Sequence, residues 1–365
     1  MLGRQVRLAA AKGRALTRAC ASGDGAGTVQ RGALRPGGKS PSPSMRTAPA
    51  EEDDAAPSSP PLGPQSVVEA LRDSSSRLGF GFSAGGLLFP YYIGVVGKLT
   101  SLRIMTPDTP VAGASAGSLI AACHHAGLTE QQVTEACWVL CDNCRRNGTR
   151  GRLGRVLERF LHDLLPEDVH ERCSDRTFVA VTQLWPRPRG KLISSFESKE
   201  DLIACLLTSC HIPWWFDGGI ARTFRGSMHY DGGLTNFIPV PPETVGVRVC
   251  CFPASAIRSV GYRIGISPPL GQHDMSQLLQ WAFNPAAEET LESLVHQGRV
   301  DAEAWANSSG ALAAVLGEPH RLAAPESDFA KQGAGSNGAG LVADGGEATE
   351  KGGLVRSLAS RLLGR

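Results

Sequence analysis

The stretch that most constrains this chain is Pro110 to Ala122, "PVAGASAGSLIAA", where an apolar run turns through Gly113-x-Ser115-x-Gly117 into alanine-rich sequence. The first part is strand material and the last part helix material, so Ser115 falls at a strand-to-helix turn. Glycines at both flanks allow a sharp, strained backbone that pushes the hydroxyl into the open. The helix that begins there aims its free N–H groups at the same point, an arrangement suited to a nucleophile with an oxyanion forming beside it. Glycine is abundant here, 43 of 365 residues, so the five-residue pattern by itself also fits a small residue at a tight turn.

The rest of the chain repeats the strand-then-helix rhythm. Arg77 to Phe82 alternates as a strand, Gly85-Gly86 breaks it, and Pro90 sits in the first turn of a following helix, where proline is tolerated. A second strand spans Thr109 to Ala114, and its helix ends near Gly127. Thr129 with Gln132 forms a capping-box pattern opening a helix to about Cys144. Leu153, Val156, Leu157, Phe160, Leu161 and Leu164 recur at helical spacing. Strands at Thr177–Leu184 and Lys191–Phe196 flank a "PRPRG" turn, and Ser198 caps a helix through "KEDLIACLLTSC". Strands ending at Tyr230 and spanning Val247–Phe252 follow, with a helix from about Met275 to Gln297. Strands alternating with helices imply an α/β fold: a mainly parallel central sheet with helices on both faces and a site at the carboxyl ends of the strands.

Charge divides the chain into regions. Residues 1–50 carry nine Lys or Arg against the single acid Asp24, with no uninterrupted apolar centre. That composition reads as an organelle transit peptide, plastid first and mitochondrion or cytoplasm as alternatives, or as a disordered basic tail. An acidic, Pro-rich linker occupies 51–65, a catalytic-sized domain 66–300, and a Gly- and Ala-rich tail 301–365. In that tail Leu354, Leu358 and Leu362 align as one face of a short basic helix. The formal charge is only +2, which gives no electrostatic argument for nucleic acid. The ten cysteines lie mostly in apolar runs. Cys137, Cys141 and Cys144, even with Cys250 and Cys251, lack the paired spacing of a zinc site, so neither a metal nor an organic cofactor is expected.

A serine hydroxyl needs a base within reach. A Ser–acid–His triad lacks a suitable histidine, because His273, His296 and His320 stand in no strand-end loop, and His124 and His125 fall on the helix after Ser115. Asp231 is the alternative base. It closes a strand and is followed by Gly232 and Gly233, which leave its carboxylate uncrowded; the same "DGG" is also a common turn. A second "DGG" begins at Asp217, directly after the bulky Trp214-Trp215-Phe216, a triplet suited to the core or to an acyl-chain wall.

Taken in order, the glycine loop, Gly113-x-Ser115-x-Gly117, "FESKEDLIACLLTSCHIPWWF" and Asp231-Gly232-Gly233 before an Asn-x-x-Pro-like segment resemble the patatin-like phospholipase family. The similarity runs from Arg77 to Pro241 and more weakly to Gln297. The resemblance implies a three-layer α/β sandwich and a lipid acyl hydrolase with a serine–aspartate dyad: Ser115 as nucleophile and Asp231, not Asp217, as base. It also implies glycerolipid substrates, be they phospholipid, galactolipid or triacylglycerol, and a peripheral contact with a lipid surface. The oxyanion would rest on backbone N–H groups of Gly85, Gly86 and Ala116, with Leu87 as a further donor. The family's loop carries a basic residue and a last glycine where this chain has Leu88 and Phe89. An acyltransferase using the same acyl-serine, and a silent lipid-binding relative, are the competing expectations.

Overall fold

The computed structural model describes residues 64–72, 77–260 and 262–317. The basic leader, the linker up to residue 63 and the tail from residue 318, with its expected Leu354–Leu362 helix, lie outside the described residues.

After a short helix α1 (Pro64–Arg72), strand β1 (Arg77–Phe82) leads through a 3-10 turn at Gly86–Leu88 into α2 (Phe89–Ser101), with Pro90 in its first turn. Strand β2 (Val111–Ala114) leads at Ser115 into α3 (Ala116–His125). Helix α4 (Glu130–Asn147) opens with the expected capping box: the Thr129 side chain accepts from Gln132 N–H, and Gln132 answers from the Thr129 N–H. Helices α5 (Leu153–Leu164) and α6 (Val169–Cys173) precede β3 (Thr177–Gln183) and β4 (Arg189–Ile193). Ser198 caps α7 (Lys199–Ser209) through the Asp201 N–H. Strands β5 (Arg222–Phe224), β6 (Ser227–Asp231) and β7 (Thr244–Val249) complete the sheet.

Helices α8 (Met275–Phe283), α9 (Glu288–Ser308) and α10 (Ala311–Leu316) follow. The sequence pattern implied one helix from Met275 to Gln297. The structure divides it at Asn284-Pro285, because proline lacks the N–H an ongoing helix needs. It also carries ordered helix past residue 300, where the tail was expected to begin, since Ala302, Trp305 and Ala306 continue the buried face of α9.

The seven strands run in the order β5-β6-β3-β2-β1-β7, with β4 joined to β3. Ladders β7–β1, β1–β2 and β2–β3 are parallel, whereas β4 and β6 oppose β3 and β5 opposes β6. The result is a mixed sheet of mostly parallel strands flanked by helices, the α/β architecture the alternation implies. Phe80, Phe82, Val247 and Val249 pack with α2 and α9 in one apolar cluster, while Val179 and Val181 pack with α5 and α7 in a second. The opposite face of β1 is bare: a Cβ on Gly81 would lie 1.9 Å from the Pro239 carbonyl, so the segment after Asp231 rests directly on strand backbone.

Candidate active site

Ser115 adopts φ 53°, ψ −122°, a conformation side-chain-bearing residues seldom hold without outside support. The support is visible. Its N–H donates to Ser209 Oγ at 2.9 Å, and that hydroxyl donates to the Ala180 carbonyl at 2.6 Å. Its carbonyl accepts from the Ser118 hydroxyl at 2.7 Å. Both flanking glycines are required by close approach. A Cβ on Gly113 would sit 2.1 Å from Gly117 backbone, and one on Gly117 would sit 2.3 Å from the Phe82 carbonyl. Helix α3 therefore springs from β2 with its first turn pressed onto β1.

Asp231 reaches Ser115 through the register of the sheet. Strand β3 pairs with β2 only as far as Ala114↔Ala180. Because β4 occupies the other edge of β3, β6 must enter beside β2, and it does so at the next position, Val181↔Asp231. Ser115 leaving β2 and Asp231 ending β6 from the opposite direction thus converge on one point. The backbone there is pinned: Asp231 N–H donates to the His211 carbonyl at 2.8 Å, and Thr182 Oγ1 donates to the Asp231 carbonyl at 2.8 Å. Gly232 has no room for a side chain, since its Cβ would lie 2.0 Å from the Ala180 carbonyl.

Part of Asp231's surface is open, yet its carboxyl lies deep enough that loss of hydration pushes its pKa from 3.8 up to about 6. Hydrogen bonds from the Ser115 hydroxyl and from Gly233 N–H, the latter 2.7 Å to Oδ1, oppose that rise. The site therefore holds a hydroxyl against a carboxylate whose basicity is raised toward neutral pH, the requirement for a general base.

Ser115 opens into a cavity of about 840 Å³, its mouth included. Val133, Leu140, Leu157, Phe160, Trp215 and Phe216 are among its lining residues, drawn from α4, α5 and the loop after α7. The Trp214–Phe216 triplet is thus divided: Trp215 and Phe216 form wall, while Trp214 turns outward at 41% exposure. Cys123, Cys137 and Cys210 also line the space. Burial raises the Cys123 thiol to about 12 and raises that of Cys210, and the contact with Cys141 together with burial raises that of Cys137, so all three act as small apolar groups. Cys137 and Cys141 lie 4.0 Å apart, and no group of three or more His, Cys, Asp or Glu among the described residues has metal-binding geometry.

Around the glycine turn, Gly86 (φ 56°), Leu87 and Ala116 line the cavity beside Ser115. Gly85 does not. A Cβ there would meet Cys251 Sγ at 2.6 Å, so its smallness serves packing behind the turn. Leu88, at the position of the family's basic residue, is fully buried in the core. The remaining candidates are engaged elsewhere. Asp217 accepts from Gly219 N–H and faces His211 and Arg222 at 3.6 and 3.8 Å. His125 is bound to Thr177 and Thr109, His124 to Thr106, and His273 packs on Trp281. Ser209, Thr182 and the His211 carbonyl, which hold the backbones of Ser115 and Asp231, carried no motif signal in the sequence.

A serine on a strand–turn–helix elbow, faced by a strand-end aspartate across an α/β sheet, defines the class. The model of the Patatin-like phospholipase family matches residues 82–243. Human patatin-like phospholipase domain-containing protein 4 is 30% identical over 236 residues, covering 62% of this chain and 86% of that protein. The chain belongs to the patatin-like phospholipase family. Mouse omega-hydroxyceramide transacylase is 29% identical over 178 residues, 47% of this chain and 29% of that protein. Mouse 1-acylglycerol-3-phosphate O-acyltransferase is 25% identical over 280 residues, 70% of this chain and 65% of that protein. Among solved structures, VipD from Legionella pneumophila is similar at TM-score 0.39 and 14% identity, over 64% of this chain and 67% of that one.

Proposed function

We propose that this protein is a lipid acyl hydrolase that cleaves fatty-acyl esters of glycerolipids through Ser115 and Asp231. The observation that carries the reading is one hydroxyl, backed by a carboxylate, at the end of an otherwise apolar cavity. Apart from Ser115 the lining is apolar, which suits a fatty-acyl chain lying along the walls with its ester at the Ser115 hydroxyl.

With the chain in place, Ser115 Oγ attacks the ester carbonyl while Asp231 takes the hydroxyl proton. The carbonyl oxygen, now negative, is held by backbone N–H groups at Gly86, Leu87 and Ala116, reinforced by the N-terminal end of α3. Asp231 returns the proton to the departing alcohol, leaving an acyl-serine. Water, deprotonated by the same carboxylate, then attacks the acyl carbon and releases the fatty acid. No step calls on a metal.

The relatives named as an acyltransferase and a transacylase favour a second reading, in which an alcohol replaces water in the last step. Delivery to an organelle, plastid first, by the basic leader belongs to the same proposal and is tested by import of a fluorescent fusion of residues 1–65. The deciding experiment is fatty-acid release from phospholipid, galactolipid and triacylglycerol, with and without a lipid alcohol acceptor, against Ser115→Ala. Release lost in the variant supports the hydrolase; transfer exceeding release supports the acyltransferase. Neither product above the variant would defeat both readings and leave a lipid-binding protein.

A further inference from the structure

The end of the sheet at which Ser115 and Asp231 meet also carries an outward ridge that the chemistry does not use. Strand β3 continues beyond its last pairing with β2, at Ala180, to Gln183, and the turn into β4 follows. At about 3.3 Å per residue, Trp185 stands on the order of 10–15 Å beyond the dyad, at the same end of the sheet. Trp185 is 74% exposed, the most exposed large apolar side chain among the described residues. Beside it, Leu184 N–H donates to the Met228 carbonyl, and Met228 is itself 52% exposed. Two neighbouring hairpins, β3–β4 and β5–β6, thus each expose a large apolar side chain, an aromatic and a thioether, at this end of the sheet.

The charge on these hairpins is of one sign. Residues 184–196 contain Arg187, Arg189 and Lys191 and no acid, and residues 221–230 contain Arg222 and Arg225 and no acid. Arg222 faces Glu158 and Asp217, and Arg225 is paired with Asp201, so their charge is answered from outside the ridge. Among the described residues no ion pair engages Arg187 or Lys191. An exposed Trp flanked by basic residues fits a surface that is apolar below and anionic at its boundary, where the indole sits at the head-group level and the cations meet phosphate.

We propose that the β3–β4 hairpin, with Met228, is the docking ridge by which this protein seats on an anionic lipid bilayer. The proposal rests on the acyl-hydrolase reading for its choice of a lipid partner, and it adds which surface meets the membrane.

The test compares the full chain with Trp185→Ala and with Arg187→Glu/Lys191→Glu. One readout is co-sedimentation with vesicles of phosphatidylcholine alone or with phosphatidylserine added. The other is turnover of p-nitrophenyl butyrate, a soluble ester that needs no membrane. Wild type should bind the phosphatidylserine vesicles more tightly than the neutral ones. Each basic residue near an anionic surface contributes about 1 kcal/mol, about fivefold, so the double reversal should weaken binding by at least roughly 25-fold. Trp185→Ala should weaken it by about tenfold on both vesicles, with soluble-ester turnover unchanged in every variant. Variants that sediment as wild type does, or a wild type that binds neither vesicle, would overturn the proposal. Vesicle binding that depends on Trp185 without any ester turnover in wild type would instead sink the hydrolase reading and leave the ridge standing.

Discussion

Replacing Asp231 with Asn should abolish activity and make the protein more stable at neutral pH. Burial holds the Asp231 carboxyl at about 6 in the folded protein, against 3.8 when solvated. A group whose folded pKa lies above its unfolded value contributes stability below the unfolded pKa and loses it as pH rises through the folded one. The stabilisation is therefore complete below about pH 4 and gone above about pH 7. At about 1.4 kcal/mol per pH unit, ionised Asp231 costs the native state on the order of 2–3 kcal/mol at pH 7.5. Asn keeps the oxygen that accepts from Gly233 N–H and removes the charge. For a domain of this size, about 2–4 °C per kcal/mol gives a rise in Tm of roughly 5–10 °C at pH 7.5 and almost none at pH 4. Calorimetry at the two pH values measures it, and hydrolysis of a soluble ester checks the loss of the base. A variant no more stable than wild type at pH 7.5, or stabilised equally at pH 4, would refute the claim that a buried carboxylate is being held for catalysis against its own hydration.

Other consequences follow from the same geometry. In the proposed mechanism only ionised Asp231 accepts the Ser115 proton, so the acid limb of kcat/KM for wild type should fall with an apparent pKa near 6; a rate flat from pH 5 to 8 would contradict it. Ser209→Ala strands the Ser115 N–H and the Ala180 carbonyl, so stability should drop by about 1–3 kcal/mol, with kcat reduced and KM little changed. Equal loss in kcat and gain in KM would argue against a positioning role for this hydroxyl. Gly117→Ala gains helix propensity but drives a methyl to 2.3 Å from the Phe82 carbonyl, and the clash should win by about 2 kcal/mol in urea unfolding. Leu157→Trp projects bulk into the cavity and should shift preference from long- to short-chain p-nitrophenyl esters, read as a reversed kcat/KM order.

Much of this protein was legible in its sequence because the signals are local. The Thr129–Gln132 capping box, the helical spacing from Leu153 to Leu164 and the Gly113-x-Ser115-x-Gly117 turn depend on residues a few positions apart, and their chemistry survives any tertiary context. Proline 285 was a local signal too, and it divides the helix that apolar spacing alone would join. What only the tertiary structure decided is non-local. Ser115 and Asp231 are 116 positions apart, and they meet because β4 takes one edge of β3 and forces β6 onto the other, one residue beyond Ala114. The cavity exists only where α4, α5 and the loop after α7 fail to close over Ser115. Ser209 and the His211 carbonyl hold Ser115 and Asp231 from the end of α7 through single hydrogen bonds, and any small polar residue or any backbone reads the same in sequence. Composition and spacing can say that a strained serine is present; only packing says what keeps it strained and which carboxylate it faces, because burial and register are properties of the assembled sheet.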